Sequence, residues 1–161
     1  MRGLSFVTGN ELYTVDVTLV QKVARKLAIT PVPSAPLEVL GIANLKGRVV
    51  TVLSLNRLLG LDESSDSERG VNTIVFKSRS GNEDQMGLAI DKPGNLIDLS
   101  ETAIKSPHLS SEPDEGFCIS GIAEVDDKFY RVINLDTIMQ KYMTSKEMIT
   151  VNATFGGDDN G

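Results

Sequence analysis

The chain has 161 residues but only one cysteine, one histidine and no tryptophan, and aromatic residues make up 5% of it. A lone Cys118 and a lone His108 cannot build a disulfide framework or a zinc site. Cys118 lies in the apolar run "GFCISGIA", which predicts a buried strand cysteine rather than a reactive thiol. His108 follows a proline in "SPHLSSEPDE", which reads as a surface loop, and no motif supports a Cys–His pair. There is no P-loop, no GxGxxG after a strand and no GxSxG. An enzyme would have no residues to work with, so the expectation is a non-enzyme with no cofactor and no metal. Apolar runs such as "GRVVTVLSL" stop well short of the roughly 18 residues of a membrane span. The start "MRGLSFVTGNEL" lacks the apolar core of a signal peptide, so a cytoplasmic protein without direct membrane insertion is expected.

What is present is an ordinary globular composition, 40% apolar and 24% charged. The net charge of −6 is unevenly spread: residues 1–70 carry +1 and residues 71–161 carry −7. Affinity for phosphates comes from neutralising them, so nucleic acid is not an expected partner. A protein partner is expected instead, and the acidic second half would either steer a basic one or serve solubility.

The chain also repeats itself. "GIANLKGRVVTVLSLNRLLG" at 41–60 aligns without a gap to "GIAEVDDKFYRVINLDTIMQ" at 121–140, with five of 20 positions identical and the apolar pattern kept in step. Upstream, "GNELYTVD" at 9–16 resembles "GNEDQMGLAID" at 81–91, and the two end on Asp16 and Asp91. Two echoes in the same order indicate two related units. We place them at residues 1–65 and 66–147, joined through the polar stretch "DESSDSERG" at 62–70, with a partly disordered tail at 148–161. Each unit is marginal alone and would gain by docking on the other.

Periodicity favours short strands. "LSFVTG", "ELYTVDV", "RVVTVLSL", "NTIVFKS", "QMGLAID" and "KFYRVINL" alternate or are rich in β-branched residues, and Gly, Pro, Asn and Ser separate them. That pattern predicts small antiparallel barrels rather than a parallel sheet with crossover helices. Short helices are expected over "DVTLVQKVARKL", where Val17, Val20 and Val23 or Ala24 have helical spacing although the β-branched series could also run partly extended, and over "SAPLEVLG", from Ser34 to Gly41. Two more are expected over "DLSETAIK", capped by Ser100, and over "NLDTIMQKYM". "MITVNATF" alternates like a strand. The turn in the first repeated hairpin is "LKG", where Gly47 can take a positive φ; Asp126 and Asp127 fill the equivalent turn and read as solvated, not catalytic.

With "YTVDVTLVQKV" at 13–23 and "GIANLKGRVVTVLSL" at 41–55, the chain resembles the CheW family of chemotaxis coupling proteins. The family runs are Tyr/Phe-x-Ile/Val-Asp-Ile/Val-x-x-Val-Gln-Glu-Ile and Gly-x-x-Asn-Leu-Arg-Gly. The resemblance covers residues 4–143 and includes the second Gly-Ile-Ala hairpin and a closing helix. It implies a mainly β fold of two similar five-stranded SH3-like barrels packed on a shared core, with a few short helices. It implies a non-catalytic adaptor that couples the cytoplasmic tips of chemoreceptors to the regulatory domain of the CheA histidine kinase. Val20, Lys22, Gly41, Asn44 and Lys46 fall on positions that the family uses for binding these partners. Three departures stand out: Lys22 replaces a Glu, Lys46 replaces an Arg and loses its bidentate fork, and Ser54-Leu55-Asn56 replaces Asp-Leu-Arg. Alternatives are a sensor of small molecules on the same fold, or a divergent coupling protein in a pathway other than chemotaxis.

Overall fold

The computed structural model describes residues 1–61, 70–78, 85–99, 104–105 and 118–143. The linker at 62–69, the helix start at Ser100, the loop around His108, the strand pattern "MITVNATF" and the tail lie outside the described residues.

The fold is mainly β. Strands β1 (Arg2–Thr8), β2 (Glu11–Asp16), β3 (Val20–Leu27), β4 (Val39–Leu45) and β5 (Arg48–Ser54) come from the first repeat. Strands β6 (Val71–Phe76), β7 (Gln85–Ile90), β8 (Lys92–Asp98), β9 (Ile104–Lys105), β10 (Ile119–Val125) and β11 (Lys128–Ile133) come from the second. Two short helices, α1 (Leu55–Leu58) and α2 (Leu135–Tyr142), follow β5 and β11. The six strand runs named from the sequence all form, as does the helix over "NLDTIMQKYM".

Two expected helices do not form. Residues 20–27 are β3, because their β-branched and charged residues pair antiparallel with β6, Val20 opposite Phe76 and Leu27 opposite Val71. Only a single 3-10 turn, Val17–Leu19, precedes it, and the Asp16 carboxylate accepts from the Thr18 N–H there. The stretch 34–41 is a pair of turns leading into β4; Ser34 sits at φ 67 and cannot cap a helix. Strand β8 had no signal in the sequence because Pro93 and Gly94 break its pattern; it is a sheet edge, where a missing N–H costs little.

The strands form two sheets, β8-β1-β2-β11-β10-β9 and β3-β6-β7-β5-β4. The first is barrel A and the second barrel B. Each closes in the same way, the chain beyond one edge strand crossing to pair with the opposite edge. In barrel B, Thr30 bridges Ile42, with both N–H···O bonds at 2.8 Å; in barrel A, Lys105 of β9 pairs with the equivalent Ile122.

The sheets do not divide the chain at residue 65. Hairpin β1–β2 of the first repeat completes barrel A, whose other strands belong to the second repeat. Hairpin β6–β7 of the second repeat completes barrel B reciprocally. The joints are parallel pairings, β2 with β11 and β7 with β5. Asp16 and Asp91, the residues that end the upstream echo, are the two points at which the chain crosses between barrels.

This exchange gives the strands two buried faces. In β7 all six residues are buried: Ala89 faces the small core inside barrel B, while Met86, Leu88 and Ile90 join the main core between the barrels. The main core also takes Phe6 and Tyr13, stacked with ring centroids 5.8 Å apart, and Ile138 and Tyr142 from α2. Barrel interiors are tight and take small residues: a Cβ on Gly87 would lie 2.7 Å from the Thr73 Cγ2. Cys118 is buried in the main core, and its carbonyl accepts from the Asn134 N–H at 2.7 Å.

Candidate functional site

The structure places the five site residues chosen from sequence on barrel B, with Lys22 level with Gly41 through the pairs Val75, Gly87 and Val52 and with Asn44 and Lys46 beyond them at a turn. Val20 and Lys22 lie at the start of the edge strand β3, opposite Phe76 and Val75 at the end of β6. Asn44 and Lys46 lie at the β4–β5 turn, and Val50, three residues past that turn, pairs with Gln85 at the start of β7. The side-chain amide of Gln85, itself buried, ties the start of β3 to the end of β6 by donating to Gln21 Oε1 and to the Phe76 carbonyl.

Asn44, Lys46, Val20 and Lys22 each have a distinct physical role. Asn44 accepts from the Gly47 N–H at 2.9 Å and so fixes the turn. Lys46 and Gly47 occupy that turn at φ 53 and φ 83, the pair of positive values a two-residue hairpin loop demands. Asp126 and Asp127 repeat the geometry in barrel A at φ 52 and φ 62. Val20 is partly buried and packs on the main core, while Lys22 is half-exposed on the strand edge.

Gly41 stands apart from the β4–β5 turn. It lies at the far end of β4, buried, at φ 152, and a Cβ there would come within 2.1 Å of the Thr30 carbonyl oxygen. Its close backbone approach is to the chain's own Thr30–Pro31 segment, which closes the barrel.

Residues beyond the sequence choice complete the surface. Arg48 and Val49 follow the turn, and Val49 is 46% exposed despite its size. Lys77 follows β6, its N–H donating to the Leu19 carbonyl. The signal for Val49 was in the repeat, since it aligns with Phe129, which is 64% exposed at the same place on barrel A.

By sequence, residues 17–90, which hold the strands of barrel B, carry nine Lys or Arg against seven Asp or Glu, and the rest of the chain carries seven against fifteen, so the uneven charge of the two halves persists in the two barrels. Glu38 sits next to Val39, at the end away from the β4–β5 turn. Lys22, Lys46, Arg48 and Lys77 form no ion pair with a described residue; in barrel A, Arg131 pairs with Glu11 at 3.0 Å and lies over the Tyr13 ring.

At the opposite end of barrel B a cleft of about 430 Å³ opens between the segment 29–37 and α1, walled by Ile29, Val32, Leu37 and Val39. Its polar groups are turned on one another. Arg57 Nη1 donates to the Leu37 carbonyl at 2.7 Å, and Asn56 Nδ2 donates to Asp91 Oδ1 at 2.9 Å. Among the described residues Asn56 Oδ1 finds no hydrogen-bond partner; it is buried, close to Gly9. Among the described residues no three His, Cys, Asp or Glu side chains converge as metal ligands, and no helix is long and apolar enough to cross a membrane.

Comparison with known proteins matches this arrangement along nearly the whole chain. The model of the CheW-like domain matches residues 2–143. The "Chemotaxis protein CheW" of Thermotoga maritima is 26% identical over 144 residues, covering 89% of this chain and 90% of that one. That of Rhizobium meliloti is 25% identical over 137 residues, 84% of each. Among solved structures, the scaffolding protein TtCheW from Thermoanaerobacter tengcongensis superposes with a TM-score of 0.72 at 27% identity, covering 83% of this chain and 88% of that one.

Proposed function

Since the chain belongs to the CheW-like domain family, we propose that it is a non-catalytic chemotaxis scaffold, coupling chemoreceptor tips to the regulatory domain of a CheA-type histidine kinase in the cytoplasm. The observation that carries this reading is the end-to-end agreement, in sequence and in two-barrel fold, with relatives named as chemotaxis and scaffolding proteins. The geometry supports an adaptor. Side chains that could serve binding lie on the outside of a rigid barrel, at a strand edge and a hairpin tip, where a second protein can reach them.

Within this reading Val20, Lys22, Asn44 and Lys46 make the binding surface, Asn44 by holding the turn and Lys46 by supplying charge. Gly41 supports it indirectly, by allowing β4 and the segment at Thr30 to close the barrel that carries the turn. The residue units 1–65 and 66–147 then act as a repeat of sequence, while the functional bodies are the two barrels.

The test is a calorimetric titration of the full chain with the kinase regulatory domain encoded in the same genome, and separately with a receptor-tip fragment. Binding of either supports the adaptor reading, and Lys46→Glu should weaken it at native-like stability. Failure of both partners to bind a folded protein would overturn the reading.

A further inference from the structure

We propose that the cleft between the segment 29–37 and α1 is a binding site for a small organic cation, one with a guanidinium or ammonium head on a short aliphatic body. The site stands beside the adaptor reading and does not use it. The cleft measures about 430 Å³, inside the roughly 300–1,000 Å³ typical of small-ligand sites. Among the described residues its apolar wall is aliphatic, built from Ile29, Val32, Leu37, Val39 and Ile90, and no aromatic ring lines it. Such a wall suits an alkyl chain better than a flat heterocycle.

The polar wall is short of donors. The Asp91 carboxylate lies there, its Oδ2 accepting from the Gly9 N–H at 3.0 Å and its Oδ1 from Asn56 Nδ2 at 2.9 Å. Both donors are neutral, and among the described residues no cation pairs with Asp91. Each carboxylate oxygen can accept twice, so each has capacity for one more N–H. Beside it Asn56, only 6% exposed, leaves Oδ1 without a donor. Turning the amide over does not cure this, because Oδ1 would then face the Asp91 carboxylate, acceptor against acceptor. A carboxylate without a cation next to an unpaired buried acceptor calls for a head rich in N–H donors. The chain does not supply one. Arg57, the cation among the described lining residues, turns Nη1 to the Leu37 carbonyl at 2.7 Å and not to Asp91. Residue 56 is also where the family motif carries Arg, so this chain lacks a guanidinium at the position next to Asp91, and a free one can take its place.

The test titrates the full chain with n-butylguanidinium chloride by calorimetry at low and high salt. N-butylurea is the neutral isostere and pentanoate the anion. Butylguanidinium should bind with a millimolar or tighter Kd, salt should weaken it, and neither control should bind. Asp91→Asn keeps the shape and removes the charge, and should weaken binding about tenfold or more. Asn56→Arg is the second variant, in case the first loses stability; it supplies the guanidinium from within, and should abolish binding while raising Tm. Asp126→Asn, in the turn of barrel A, should leave binding unchanged. No binding at millimolar butylguanidinium, equal binding of butylurea, or unaltered binding by both folded variants would overturn the proposal. Tighter binding of a blocked Gly-Arg-Gly peptide would overturn the small-molecule occupant in favour of a protein side chain. Cation binding without kinase or receptor binding removes the adaptor reading and keeps the site, and the converse removes only the site.

Discussion

Two glycines in one hairpin show how differently the same residue type is used. At Gly41 an added methyl group meets the Thr30 carbonyl, and the backbone at φ 152 resists any side chain. Gly41→Ala should therefore cost roughly 3 kcal/mol in urea unfolding, the sum of strain and overpacking. If stability holds and partner binding falls, Gly41 contacts the partner and the assignment to barrel closure is wrong. At Gly47 nothing lies within 4 Å of an added Cβ, and Asp127 fills the equivalent position. Gly47→Asp should cost less than about 1 kcal/mol by the same measurement. Sequence could show that Gly47 suits a positive φ, since it sits in a hairpin turn. It could not show that the backbone approaching Gly41 is Thr30, because that contact exists only once the barrel closes.

At the scale of elements the repeat extends to the caps. Ser54 Oγ accepts from the Arg57 N–H at 3.2 Å and starts α1; Asn134 Oδ1 accepts from the Thr137 N–H at 3.3 Å and starts α2. Ser54→Ala and Asn134→Ala should each cost about 1 kcal/mol, measured by chemical denaturation, with the fold retained. Values near zero would mean that packing against the main core, not the cap, sets where these helices begin. The departure at Ser54-Leu55-Asn56 is explained here, since Ser54 is a cap and Asn56 ties α1 to Asp91. Strand β3 departs from the helix its spacing predicts for a physical reason. Its valines at helical spacing also suit a strand, and pairing with β6, more than 40 residues downstream, decided between the two. Strand β8 differs in the opposite sense: its residues look like a turn, and only its place at the sheet edge lets Pro93 and Gly94 be strand residues.

At the scale of the molecule the reciprocal exchange of hairpins makes the two barrels one folding unit. Cutting the chain after residue 65 should give two fragments that are each unfolded, because each would hold a hairpin without its barrel and a barrel lacking its hairpin. Mixed together, they should regain β-rich circular dichroism and one cooperative unfolding transition; a folded, cooperative 1–65 fragment would show instead that the repeat is also the domain. The composition set only the expectation of a non-enzyme, while the repeat with its two motifs carried the family, the mainly β fold and most strand positions. Those features are local, because alternation, turn residues and motif spacing are written within a few positions of one another. Which hairpin completes which barrel and that Gly41 faces Thr30 were settled only by tertiary structure. Each depends on pairings such as β5 with β7 and β2 with β11, and a parallel joint between distant strands leaves no mark on either strand's own residues.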